Sequence, residues 1–345
     1  MANTTTETVR LTIDGIPISV PKGTLVIEAA RRVGVMVPHF CYHPKLKPDA
    51  NCRMCLVEVE RMPKLQTSCS TVATEGMAVR TATTVVHDAH KSVLEFILAN
   101  HPLDCPVCDQ GGKCDLQDFS HEYTATASRF VETKRIFQKE YFSPLIETQM
   151  NRCVQCLRCV RYCDEVMDVK ALAPVGRGTM TEIKHFGAHP LDCEFCGGCV
   201  QICPVGAITS RLSMYEYRPW MLKRADTVCT FCGDGCQITV QTKDQELIEV
   251  NSAQGAGRNS GDLCARGFWI SRDEPSQPSD PSVDQTERRA GRSHVGRGVG
   301  VCGRTDQPAQ VSAWPASLRR TDFRPLYQRR TLSVPEVHAP HDRDQ

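Results

Sequence analysis

Twenty cysteines in 345 residues constrain this chain more than any other feature, because nineteen of them fall into five tight groups. The groups are Cys41, Cys52, Cys55 and Cys69; Cys105, Cys108 and Cys114; Cys153, Cys156, Cys159 and Cys163; Cys193, Cys196, Cys199 and Cys203; and Cys229, Cys232, Cys236 and Cys264. Only Cys302 stands apart. The start, MANTTTETVRLTIDG, is polar and then alternating, which is unlike a secretory signal. A reducing compartment is therefore expected, and metal ligation rather than disulfide formation is the expected purpose of the thiols. Four of the five groups supply the four thiolates that an iron–sulfur cluster or a zinc ion needs.

The strongest pattern is the pair Cys153–Cys163 and Cys193–Cys203, two copies of CxxCxxCxxxC, the second followed by Pro204. In two-cluster ferredoxins the fourth cysteine of each run crosses to the other cluster. One [4Fe-4S] cluster is thus expected on Cys153, Cys156, Cys159 and Cys203, and another on Cys193, Cys196, Cys199 and Cys163. Cysteines at every third residue of a short loop can wrap three corners of a cubane, while the fourth ligand comes from elsewhere. Gly197, Gly198 and Gly206 are expected to let backbone approach sulfur closely. Two zinc knuckles are the alternative, although the CxxCxxC triple is unusual for tetrahedral zinc.

Upstream, Cys41, Cys52, Cys55 and Cys69 resemble a plant-type [2Fe-2S] loop with a lengthened first gap. The flanks predict a hairpin of VRLTID and IPISV around Asp14–Gly15. They also predict a helix with Val26, Ala29, Ala30 and Val33 at helical spacing, Thr24 as its N-cap and Gly34 as its stop, then a strand LVEVE. Together these make a β-grasp domain. In HPLDCPVCDQGGKC only three cysteines appear, and His101 supplies the missing fourth donor beside Cys105, Cys108 and Cys114. His87 and His90, in the preceding stretch HDAHKSVLEFILAN, are expected on a solvent face, with Val93, Leu94, Ile97 and Leu98 buried and the helix ending near Pro102. The last group, CTFCGDGC with the distant Cys264, fits a further [4Fe-4S] site around strands QITVQ and ELIEVN, or a zinc ribbon of similar arithmetic.

The remaining composition excludes more than it identifies. A 41% hydrophobic content suffices for two or three cores, and a formal net charge of +1 with no basic, aromatic-laced stripe argues against nucleic acid as a partner. No run of eighteen apolar residues occurs, so membrane contact is expected only through partner subunits.

The order of these parts resembles the G or 75-kDa-type subunit of NADH:quinone oxidoreductase, complex I, over about residues 8 to 272. The phrase NHPLDCPVCDQGGKCDLQD carries the resemblance most specifically, with MNRCVQCLRCVRYC after a spacer containing SRF and KR. It implies an electron-transfer subunit with one [2Fe-2S] and four [4Fe-4S] clusters, one of them histidine-ligated. The implied partners are a flavin- and NADH-binding subunit and other peripheral-arm subunits, on the cytoplasmic side of the membrane. Many members of the family keep one cluster where this chain can hold two. Cys163, Cys193, Cys196 and Cys199 look more like formate dehydrogenase α subunits and soluble hydrogenase diaphorase subunits. The last group resembles the entry domain of molybdopterin oxidoreductases, but no molybdopterin is expected in a chain of this length.

The expected fold class is α+β. Its parts are a β-grasp [2Fe-2S] domain at 8–86, a helical histidine-ligated segment at 87–126, a two-cluster ferredoxin-like domain at 144–213 and a small β-rich cap at 222–272. From 273 to 345 the text turns rich in Arg, Pro, Ser and Gly and reads as disorder or as a chain out of its reading frame. Gly298, Gly300 and Gly303, with Asp322 downstream, match a dinucleotide fingerprint superficially, but no strand precedes them and no helix follows.

Overall fold

The computed structural model describes residues 7–124, 128–186, 191–252, 255 and 257–270. Cys302, the Gly298–Gly303 motif and the expectation for 273–345 lie outside them. Among the described residues no helix is long and apolar enough to cross a membrane.

Alternation of apolar residues makes Thr8–Ile13 (β1) and Ile16–Pro21 (β2) an antiparallel hairpin with Ile13 opposite Ile16. Both turn residues are left-handed, Asp14 at φ 49° and Gly15 at φ 82°, as a two-residue type I′ turn requires. The Asp14 carboxylate then accepts from the Thr81 N–H at 2.7 Å and its hydroxyl at 2.6 Å, which ties the hairpin to the chain beyond β5 (Met77–Arg80). With β3 (Leu56–Val59) and β4 (Gln66–Thr67) the strands form one mixed sheet, ordered β2-β1-β5-β3-β4, in which β1 and β5 run parallel. Helix α1 (Val26–Arg32) closes this β-grasp, packing Val26, Ile27, Ala29 and Ala30 onto Leu11, Ile13, Val20, Val57 and Val79. Gly34, at φ 81°, stops the helix as expected. Thr24 does not cap it: Leu25 is the N-cap, and the Thr24 hydroxyl donates to the Pro21 carbonyl at 2.6 Å, closing the turn before the helix instead.

Helix α2 (Thr84–Asn100) starts on Thr83, whose hydroxyl accepts from the Val86 N–H, and ends one residue before His101. The solvent-face expectation holds for His87 and fails for His90, which is 1% exposed. Counting back by four from buried Leu94 reaches His90 and then Val86, so the histidine sits on the apolar stripe. Its Nε2 hydrogen-bonds the Leu56 carbonyl at 2.8 Å and its ring meets Tyr123 edge-on, joining α2 to β3 and to α3 (Asp115–Tyr123).

The next unit is a ferredoxin-like arrangement. Strand β6 (Ile146–Thr148) pairs with β9 (Ile208–Ser210), β7 (Leu172–Val175) pairs with β8 (Glu182–His185), and α4 (Arg158–Glu165) packs against α5 (Gly198–Ile202). A three-stranded antiparallel sheet follows, β10 (Lys223–Val228), β11 (Gln237–Lys243) and β12 (Glu246–Asn251), with the short α6 (Ala265–Phe268). Two of its strands match the expected QITVQ and ELIEVN. Strand β10 has no apolar alternation and is exposed along its whole length, because it is an edge strand held only by its ladder to β11.

The helix pair depends on a missing side chain. A Cβ on Gly198 would lie 2.0 Å from the Tyr162 ring. Gly198→Ala is expected to lower the unfolding free energy by about 1–3 kcal/mol through overpacking, whereas Gly233→Ala, where a Cβ meets nothing within 4 Å, changes it little. Denaturant titration of both variants checks this, and equal midpoints would show that the α4–α5 approach is not tight.

Candidate metal centres

In the first set, Cys41, Cys55 and Cys69 are fully buried and Cys52 is partly so; Cys41, Cys52 and Cys55 lie on the loop between α1 and β3, and Cys69 follows β4. Left-handed Ala50 and Arg53 curl the loop so that main-chain donors point inward. The N–H groups of Phe40 and Cys41 donate to Cys52 Sγ at 3.4 Å, and the Cys52 N–H to Cys41 Sγ at 3.5 Å. The thiols also lie close enough to perturb one another. Cys52 and then Cys69 draw Cys41 well below the ordinary thiol range, and Cys41 pushes Cys52 far above it.

The second set surrounds the end of α2. His101, its C-cap residue, is buried, and its Nδ1 is a buried atom without a hydrogen-bond partner. Burial pulls its pKa down to about 4, so the imidazole is neutral at physiological pH, as a metal ligand must be. Cys105 is exposed on a 3₁₀ turn, while Cys108 and Cys114 are 8% exposed. Burial raises Cys114 to about 12. A Cβ on Gly206 would lie 2.3 Å from Cys108 Sγ, so this glycine admits the sulfur. Asp104 Oδ2 accepts from Arg152 Nε at 2.8 Å and Nη2 at 2.6 Å, fastening this loop to the turn that precedes Cys153.

The third and fourth sets repeat one another. In Cys153–Cys159 the second and fourth residues after the first cysteine, Gln155 (φ 56°) and Leu157 (φ 58°), are left-handed; in Cys193–Cys199 Phe195 (φ 51°) and Gly197 (φ 76°) take the same places. The N–H of Gln155 donates to Cys153 Sγ at 3.3 Å, and that of Phe195 to Cys193 Sγ at the same distance. Three of the four left-handed positions carry a Cβ, at roughly 1–2 kcal/mol each, a local cost that marks a functional loop. Cys203 lines a small apolar cavity together with Cys153, Cys156 and Cys159. Cys163 faces Cys193, Cys196 and Cys199. Burial raises Cys153 to about 11 and Cys156 and Cys163 to about 12. Of the three glycines expected near sulfur, Gly198 donates its N–H to Cys196 Sγ at 3.4 Å and Gly206 approaches Cys108, while Gly197 makes room for the Phe268 ring.

The fifth set is more open. Cys229 is buried and its N–H donates to the Cys236 carbonyl at 2.8 Å, while Cys232 is exposed. Cys236 faces Cys229 and Cys232. Cys264, also exposed, is the N-cap of α6, and Gly267 of that helix would set a Cβ 4.0 Å from Cys229 Sγ. The helix that Cys264 begins is thus set beside Cys229.

Two apolar cores join these sets. One holds Cys41, Cys114 and Cys156, with Cys52, Cys153 and Cys203 packed against it. The other holds Cys159, Cys199 and Cys229, with Cys163, Cys193, Cys203 and Cys236 packed against it. Among the described residues no group of three His, Cys, Asp or Glu side chains is already closed around a single metal position. A polynuclear iron–sulfur cluster takes its ligands on separate irons. The buried thiols, their inward N–H donors and the unpartnered imidazole fit that group.

Comparison with known proteins gives four family matches in chain order. They are a 2Fe-2S iron-sulfur cluster binding domain (6–84), the NADH-ubiquinone oxidoreductase-G iron-sulfur binding region (90–129), the ferredoxin-like domain of NADH-quinone oxidoreductase subunit 3 (143–209) and a molybdopterin oxidoreductase Fe4S4 domain (222–271). A G-type subunit of the NADH-quinone oxidoreductase of Rhizobium meliloti is 45% identical over 277 residues, 78% of this chain and 32% of that protein. The mitochondrial NADH-ubiquinone oxidoreductase 78 kDa subunit of Neurospora crassa is 44% identical over 244 residues, 70% of this chain and 33% of that protein. The chain thus spans about a third of the length of these relatives. A chain from the crystal structure of an NAD+-reducing [NiFe]-hydrogenase in the H2-reduced state superposes with a TM-score of 0.56 at 28% identity, over 61% of this chain and 90% of that one. With a 2Fe-2S domain, an oxidoreductase-G iron–sulfur region, a ferredoxin-like domain and a molybdopterin-type Fe4S4 domain in this order, the chain belongs to the G-type family of NADH-quinone oxidoreductase subunits.

Proposed function

We propose that this chain is an electron-transfer subunit of a proton-pumping NADH:quinone oxidoreductase, relaying electrons from the NADH and FMN site of a partner subunit toward quinone. The observation that carries this reading is the pair of apolar cores, which bring thiols from five separate sequence groups into two shared interiors. The [2Fe-2S] ligands are Cys41, Cys52, Cys55 and Cys69. The four [4Fe-4S] sets are His101 with Cys105, Cys108 and Cys114; Cys153, Cys156 and Cys159 with Cys203; Cys193, Cys196 and Cys199 with Cys163; and Cys229, Cys232 and Cys236 with Cys264. Their domains are assigned to 8–86, 87–126, 144–213 and 222–272. Iron–sulfur clusters in these positions supply one-electron transfer.

The chain's own residues fix spacing and polarity. Phe40, Met54, Leu94 and Leu116 exclude water between the first three sets, and Phe142, Ile183, Phe268 and Trp269 do so between the ferredoxin pair and the cap. N–H donors from Phe40, Gln155, Phe195 and Gly198 point at sulfur, a contact that stabilises negative charge there. His101 makes its set less negative than four thiolates would. No nicotinamide, flavin or quinone site is assigned to these residues, and the subunit is placed at the cytoplasmic face of the membrane through its partners.

A second reading rests on Cys163, Cys193, Cys196 and Cys199 and on the superposition with the hydrogenase chain: the same relay serving an NAD-linked hydrogenase or formate dehydrogenase. Affinity purification from the native host separates the two. Co-purifying membrane subunits support the first, and a nickel or molybdenum protein the second.

Iron and acid-labile sulfide analysis of the anaerobically purified chain is expected to give about eighteen irons, the content of one [2Fe-2S] and four [4Fe-4S] clusters. About fourteen would leave one [4Fe-4S] set unfilled, and zinc without iron would overturn the relay. His101→Ala is expected to remove or weaken one [4Fe-4S] EPR signal and leave the ferredoxin pair intact; an unchanged spectrum excludes His101 as a ligand.

A further inference from the structure

The interior shared by the first three sets holds a cation with no equal partner. Arg158 lies between Cys156 and Cys159, and its side chain is only 8% exposed. Asp115 Oδ2 lies 3.9 Å from Nη1, beyond hydrogen-bonding distance, on a carboxylate that is itself 46% exposed. The Arg158 Nε is buried without a partner. Nearby Arg152 is matched by two short bonds to Asp104, and Arg161 donates to the carbonyls of Lys47 and Cys41. A buried guanidinium with so little anionic compensation is strongly unfavourable unless negative charge arrives from another source.

What surrounds it supplies that source. The Arg158 charge is near enough to act on the thiols of Cys156 and Cys203 against the effect of burial, and it acts also on His39, two residues before Cys41, and on Asp115, next to Cys114. Those cysteines line the core that draws thiols from three sets. An iron–sulfur centre held by four thiolates is a net anion in both oxidation states. One-electron reduction adds one more negative charge without changing the ligands.

We infer that Arg158 is the counter-cation of the Cys153–Cys156–Cys159–Cys203 site, a positioning residue that raises the reduction potential of that site by favouring its reduced, more negative state. This rests on the iron–sulfur loading proposed above and adds to it a residue that is not a ligand. The fixed charge acts over the short, poorly screened distance of a dry interior. Sites that lie wholly in the second core feel it less.

The test is an EPR-monitored redox titration, with mediators and dithionite, of the anaerobically purified full chain carrying Arg158→Gln, Arg158→Met or Arg158→Lys, alongside the unaltered chain. The two neutral variants are expected to disfavour reduction of this site at least tenfold, a downward shift of about 59 mV for one electron. Arg158→Lys is expected to stay near the unaltered value. Full iron content with an unchanged potential in either neutral variant overturns the inference. If both neutral variants lose this site's irons while Arg158→Lys keeps them, charge is what the site requires and the inference stands; loss in all three overturns it. Iron analysis of the unaltered chain tests the loading separately, so the two failures are distinguishable.

Discussion

The constraint on which most of this structure depends is placing thiols where water reaches them little. Burial disfavours the thiolate, and it pushes Cys114, Cys153, Cys156 and Cys163 up to about 11 or 12. At neutral pH such groups hold their protons, so loading a metal onto them would release protons and turn its binding free energy into folding free energy. The two shared cores are built around that requirement, since each mixes its apolar side chains with thiols from several sets. The β-grasp differs, because Leu11, Ile13, Val20, Val57 and Val79 pack on α1 and give the first domain a core of its own.

The loops that present the thiols carry their own strain. Left-handed Gln155, Leu157 and Phe195 are unfavourable for residues with a Cβ, yet each turns an N–H inward or starts a helix at the required angle. In the second copy the position of Leu157 is taken by Gly197, which meets no such penalty and uses the missing Cβ to seat Phe268 from the cap. One loop conformation thus serves two ends in both copies, orienting sulfur and docking a neighbouring segment: the Asn51 side-chain amide donates to the Gln155 carbonyl at 2.9 Å in the first, and the Trp269 indole N–H to the Phe195 carbonyl at 2.6 Å in the second.

What can be read from the sequence is whatever depends on local spacing. The Asp14–Gly15 hairpin, the Gly34 stop and the β11–β12 strands are set by turn chemistry and short-range periodicity, and they stand where the pattern puts them. What cannot be read depends on distant partners. Thr24 has the right residue type for a cap, but its hydroxyl bonds the carbonyl of Pro21 instead. His90 has the look of half of an exposed HxxH pair, and its burial becomes visible only when the helical stripe is counted back from Leu94. Strand β10 has no pattern of its own and exists because β11 offers it a ladder. Among the thiols, the grouping is visible in the spacing. The orphaned His101 Nδ1, the buried Arg158 and the merging of five groups into two interiors are properties of packing that no spacing encodes.

Solvent access is distributed unevenly over the five sets, and that distribution has an electrostatic meaning. Among the described residues the exposed cysteines are Cys105, Cys232 and Cys264, which belong to the histidine set and to the cap. The [2Fe-2S] set and the two ferredoxin sets have none. Water and its ions screen and solvate added charge, so reduction is easier at an exposed set and harder at a dry one, other things being equal. Electron transfer through a dry set would meet a barrier there unless something in the interior offset it. N–H donors to Cys52, Cys153, Cys193 and Cys196 offset part of that barrier at each dry set. At α4 the chain also buries most of Arg158, a positive charge close to a core that draws cysteines from several groups.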